Sequence, residues 1–116
     1  MQLLSSLLIH TYMLVRIKEN SWLAKLAAAK LKADQVAIVF GNTIYLHNTS
    51  RAELLNDKEW LCHELKHAEQ YRQHGFAGFL IRYLIEWIRN GYYNNRFEKE
   101  ARENEKKSGL DNFTIL

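Results

Sequence analysis

The chain has 116 residues, 47% of them hydrophobic and 25% charged, with no proline and one cysteine. That length holds one domain with a modest core, and the composition is that of ordinary soluble globular proteins. The net charge of +3 is spread along the chain, without the one-sided basic surface a nucleic-acid binder needs, and a lone Cys62 excludes an internal disulfide and points to a reducing, cytoplasmic compartment.

Met1 to Val15, MQLLSSLLIHTYMLV, is apolar. It lacks a basic n-region and a cleavage site, His10 interrupts it, and it is too short to span a bilayer. It reads as the start of a helical region over residues 2–33, with an interfacial helix at a membrane surface as the alternative. Within that region WLAKLAAAKL (22–31) is rich in strong helix formers, and Leu23, Leu26, Ala27 and Leu31 make an apolar stripe. The period then changes. Val36 to Phe40 and Thr43 to His47 are two β-type runs joined by Gly41-Asn42, which predicts a hairpin with a primed turn. Such a loop sets Val39 opposite Ile44 and Ala37 opposite Leu46, so one face is apolar and Tyr45 and His47 lie on the other.

Ser50-Arg51-Ala52-Glu53 has the form of a capping box and opens a short helix. Asn56 or Asp57 can cap the next helix, which runs to about Gln73, with Gly75 as its stop. A further helix over about 77–89 carries Arg82 and Glu86 as an exposed (i, i+4) pair and ends near Asn90-Gly91. Residues 92–95 connect it, with Asn residues suited to a turn or an N-cap, to a last helix from Arg96 to about Lys106. KSGLDNFTIL (107–116) reads as a tail. Trp60, Trp87 and Phe97 read as core. The expected architecture is a single α+β domain over 1–116, mostly helical, with a small antiparallel hairpin packed against the helix that carries residues 63–67.

His63-Glu64-Leu65-Lys66-His67 is an HExxH signature on that helix. Histidines at i and i+4 lie on one face about one turn apart, so their rings can converge on one ion. Hydrolytic zinc sites use three protein ligands and keep a fourth position for water; Glu64, beside the first histidine, can act on that water as general base. Cys62 points about 100° away from His63 around the helix and reads as packing.

The third ligand decides the subclass. His74 is a candidate, but on a continuous helix it sits about 16 Å along the axis from His63, and Gln70 and Gln73 occupy the positions where the metzincin pattern has Gly and His. Glu98 and Glu100 are the others; they differ by about 200° around a helix, so only one can face the ion. HELKH followed by a helix bearing Phe97-Glu98-Lys99-Glu100-Ala101-Arg102 resembles the gluzincin clan of zinc metallopeptidases, and with the hairpin and GYYNNRFEKEAR it is similar to a group of small bacterial zinc-peptidase-like proteins. The resemblance covers about residues 36–105. It implies a zincin-like fold and Zn2+ held by His63, His67 and Glu98, with Glu100 as the fallback ligand, Glu64 as catalytic base, and Ala101 as the small residue that lets the helices approach. It also implies an extended peptide or protein substrate along a strand edge, for which Thr43 to His47 is the candidate. Arg102 departs from the clan pattern, which commonly has there an Asp that orients a ligand histidine; another group must do so here.

Among Tyr71, His74, Tyr92 and Tyr93, Tyr93 is taken as the donor for the reacting oxygen, and His47 as a surface residue near the cleft. The tail, 108–116, can cover the cleft. The expected function is zinc-dependent peptide-bond hydrolysis. The alternative is a catalytically silent zinc-binding adaptor, such as a toxin, immunity or secretion-associated module working within a larger assembly.

Overall fold

The computed structural model describes residues 13–107 and 110–116, and its first described element is a strand, Met13–Lys18 (β1). The helix expected over 2–33 is confined to Trp22–Leu31 (α1); residues 2–12, with His10, lie outside the described residues. The reason for the correction is a period of two. Val15 is fully buried and Met13 and Ile17 half-buried, whereas Leu14 is 52% exposed and Arg16 and Lys18 face solvent.

The hairpin forms as expected from Val36–Phe40 (β2) and Thr43–His47 (β3), with Val39 paired to Ile44 and Ala37 to Leu46. Gly41 takes φ +63°, which a primed turn requires at its first central position. β1 pairs in parallel with the open side of β3, and Phe113–Ile115 (β4) pairs in parallel with β1, giving one sheet of order β2-β3-β1-β4. Two expectations change. Thr43 to His47 is an interior strand, so the free edge on the hairpin side is β2. The end of the tail is an edge strand on the far side of the sheet, three strands away from β2, and not a cover for the cleft.

Both faces of the hairpin are covered. On one, α1 lays Ala24 and Ala28 onto Val36, with Ala27, Ile38 and Tyr45 around them. Its buried stripe is therefore the small alanines; Leu26 is exposed. On the other, Val15, Val39, Ile44 and Leu46 meet Leu61, Leu65, Ala68 and Phe97 in the main core.

The remaining helices are Arg51–Asn56 (α2), Lys58–His74 (α3), Phe76–Asn90 (α4) and Arg96–Asn104 (α5). Their starts follow the capping residues: Ser50 accepts from the Glu53 amide, Asp57 from Trp60 and Asn95 from Phe97. Gly75 separates α3 from α4 at φ +77°. The expected Arg82–Glu86 pair does not form. Arg82 turns back to the Gly78 carbonyl, and Glu86 accepts from the Arg96 amide and from Asn90. Phe97 is core and Trp60 packs against it, but Trp87 is half-buried and lines a cavity instead. The architecture is α+β. Among the described residues no helix is long and apolar enough to cross a membrane.

The alternation in β1 makes a prediction that a helix would not. Val15→Ala should cost more than about 1 kcal/mol by urea unfolding, and Leu14→Ala less than about 0.5 kcal/mol. Equal costs would argue against the strand.

Candidate metal centre

α3 presents His63, Glu64 and His67 toward α5, a segment about thirty residues on. The start of α5 is fixed by Asn95, fully buried: its side-chain oxygen accepts from the Phe97 amide and its Nδ2 donates to the Tyr83 carbonyl on α4. Phe97 and Ala101 then bury against α3, and Glu98, also buried, faces the two histidines.

The three ligand-type groups converge. Glu98 Oε1 lies 3.0 Å from His63 Nε2 and 3.1 Å from His67 Nε2. All three ligand atoms lie within 4.8 Å of one another, a cluster that can hold a metal ion. Glu100 is not in it. Its side chain is on the outer side, accepting from Gln70 Nε2 at 2.9 Å with Lys66 Nζ at 4.0 Å. His74 is not in it either, since its ring stacks on Phe79 and edges onto Phe97. Cys62 is buried, with its thiol against the Lys107 carbonyl and its pKa raised by burial.

Each member of the cluster has a partner behind it. His63 Nδ1 donates to Glu105 at 2.8 Å. His67 Nδ1 donates to Gln70 Oε1 at 2.9 Å, and Gln70 has its amide end committed to the Phe97 carbonyl and Glu100, so its oxygen must face the histidine. The second oxygen of Glu98 accepts from the Tyr83 hydroxyl. None of these three partners was legible as such. Glu105 is seven residues, two helical turns, beyond Glu98 and so on the same face of α5, a spacing that could have found it. Tyr83 belongs to the stripe of α4 that also holds Phe79, Leu80 and Trp87.

The charges follow from this geometry. Burial alone would depress the His63 pKa, but the carboxylates of Glu98, Glu64 and Glu105 outweigh it and raise the pKa to about 9. His67 is raised too, against its burial, by Glu98 and Glu64. Glu98 is held well below the usual carboxylate range: burial pushes it up, and the hydrogen bonds from His63, His67 and Tyr83 win. Glu64 is buried and less well provided; burial raises its pKa to about 7, with the two histidines and a hydrogen bond from Trp60 pulling it back.

A cavity of about 200 Å³ opens beside these groups. It is lined by β2, by Tyr71, Phe79 and Leu80, and by Tyr83, Trp87 and Tyr92. Tyr93 has no part in it: the ring is 70% exposed and stacked under Arg102 at 4.1 Å. Tyr92 lines the cavity instead while 39% exposed, and its partial burial with the nearby Glu98 and Glu64 charges raises its pKa. His47, at the end of β3 and paired with Val36, does not line it.

Residues 8–75 match the eCIS core domain, more than half of the chain. The chain belongs to this family. Comparison with curated proteins and with solved structures gives no match. The eCIS core region contains the hairpin, α2 and all of α3 with both histidines and Glu64, and it ends at Gly75, before α4 and α5. The family it indicates is therefore the eCIS core.

The same geometry sets a pH dependence for the metal-free protein. A histidine raised from 6.5 to about 9 stabilises the fold fully below 6.5 and loses that contribution as pH climbs through 9. Glu64, raised to about 7, works in the same direction at lower pH, while Glu98, being lowered, is charged throughout. In chelator, the stability should fall by at least about 1 kcal/mol between pH 6.5 and 9, or roughly 5 °C in Tm. A melting temperature that is flat or rising over that range would contradict the ion-pair arrangement.

Proposed function

We propose that this eCIS core protein is a zinc-dependent peptidase-like hydrolase of gluzincin type, with His63, His67 and Glu98 as ligands and Glu64 as general base. The observation that carries it is the convergence of both Nε2 atoms on one oxygen of Glu98. Two nitrogens and a carboxylate oxygen are the donor set of hydrolytic zinc sites. Their spacings of 3.0 and 3.1 Å come close to the roughly 3.3 Å between ligands of a tetrahedral ion with bonds near 2.0 Å.

Zinc in such a site supplies a polarised carbonyl and a water acidic enough to react at neutral pH. The chain's own groups do the rest. Glu64 takes a proton from the attacking water at its carboxylate and delivers it to the leaving amine. Burial beside the cavity suits it to that exchange. Tyr83, by holding one oxygen of Glu98, leaves the other for the ion. Tyr92, in place of Tyr93, is the donor for the developing charge on the substrate oxygen. The free edge of β2 beside the cavity supports main-chain pairing with an extended peptide. The lone cysteine supports a reducing, cytoplasmic setting.

The family match favours a second reading. The eCIS core name refers to extracellular contractile injection systems. In that reading the chain is a non-catalytic, metal-stabilised module of such an assembly.

Protein purified without added zinc should contain about one zinc per chain. Glu64→Gln should keep that metal and lower hydrolysis of a broad peptide library by about 10²–10⁴-fold. Zinc content near zero would sink both readings of the site. Full occupancy without turnover in the wild type would leave the second.

A further inference from the structure

We propose that Glu105 is a positioning residue of the metal centre, which fixes the ring of His63 and strengthens its Nε2 as a ligand. The inference rests on the zinc reading above. The His63 ring is strung between two carboxylates: Nε2 faces Glu98 at 3.0 Å and Nδ1 faces Glu105 at 2.8 Å. Glu105 is on the far side of the ring from the ligand cluster, of which it is no member. Its one service there is to accept the Nδ1 proton. That proton placement leaves the Nε2 lone pair for the ion, and the negative charge makes the imidazole a stronger donor.

The contact is built into the fold. Glu105 sits at the end of α5, where its amide donates to the Arg102 carbonyl at 3.1 Å. On either side the chain is clamped to the residue that precedes His63. Asn104 Nδ2 donates to the Cys62 carbonyl at 3.0 Å, and the Cys62 thiol reaches the Lys107 carbonyl at 3.6 Å. Residue 105 is thereby held over position 63. The other histidine is treated differently. His67 has the neutral amide of Gln70, which is buried and locked by two donations of its own. One ligand therefore carries a charged support and the other a neutral one, so the loss of charge at 105 has no substitute.

Zinc affinity of the full chain, measured by competition with a chromophoric chelator, tests this. Glu105→Gln should weaken zinc binding by about 10- to 100-fold. Glu105→Asp should recover part of the loss, and Glu103→Gln, an exposed carboxylate on the same helix, should change nothing. The visible absorption of the Co2+-loaded protein should shift in Glu105→Gln and not in Glu103→Gln, a signature that a merely structural role would not move. Thermal melts in chelator confirm that each variant is folded. Wild-type affinity and spectrum in Glu105→Gln would overturn this inference alone. A wild type that binds neither Zn2+ nor Co2+ would overturn the zinc reading itself.

Discussion

One buried carboxylate organises this molecule. Glu98 is almost fully enclosed, and an enclosed carboxylate is costly unless it is paired and hydrogen-bonded. Here three donors from two other helices meet it: His63 and His67 from α3, and Tyr83 from α4. α3, α4 and α5 therefore cannot shift relative to one another without stranding a charge. The apolar packing around Phe97 and Ala101 brings α5 close enough for that contact, and the contact fixes its rotation. Core and site are one construction in this small domain.

That construction separates the two carboxylates nearest the histidines. Glu98 accepts several hydrogen bonds and stays ionised, whereas Glu64 is buried with little to hold its charge and rises toward neutrality. Two acids close to the same histidine pair thus take up different charge states near neutral pH. The difference arises from which helix faces which. Glu64 projects from α3 toward the cavity under β2, and Glu98 projects from α5 into the donors.

Much of this was legible locally. The hairpin register followed from a two-residue loop, the start of α2 from Ser50, those of α3 and α5 from Asn56-Asp57 and from the Asn residues before Arg96, and the convergence of the histidine pair from its i, i+4 spacing. What was not legible depends on partners far along the chain. MLVRIK can line a helix or alternate as a strand; the open edge of β3 decides it, some thirty residues later in sequence. Phe113–Ile115 has only three residues and becomes a strand because β1 offers an edge. Missing those two strands also misplaced the free edge of the sheet. Tyr83 and Trp87 looked like one more apolar stripe, since an aromatic ring at helical spacing carries no mark of where its hydroxyl or edge will point. Tyr93 and Tyr92 are adjacent in an irregular connection, where nothing local distinguishes the exposed ring from the one facing the cavity.

The boundary of the family match divides the site at a telling place. The part within residues 8–75 brings three of the four strands of the sheet, both histidines and Glu64. Two histidines on one helix face are an incomplete cage for an ion, and they would be neutral or repel one another without a nearby anion. The third member of the cluster, Glu98, and the groups behind it and behind His63, Tyr83 and Glu105, all lie after Gly75. So do the cavity-lining residues from Phe79 to Tyr92. The matched region thus supplies the histidine-bearing helix on a sheet, and the following two helices determine whether that helix faces carboxylates and an enclosed space. For this protein they provide both.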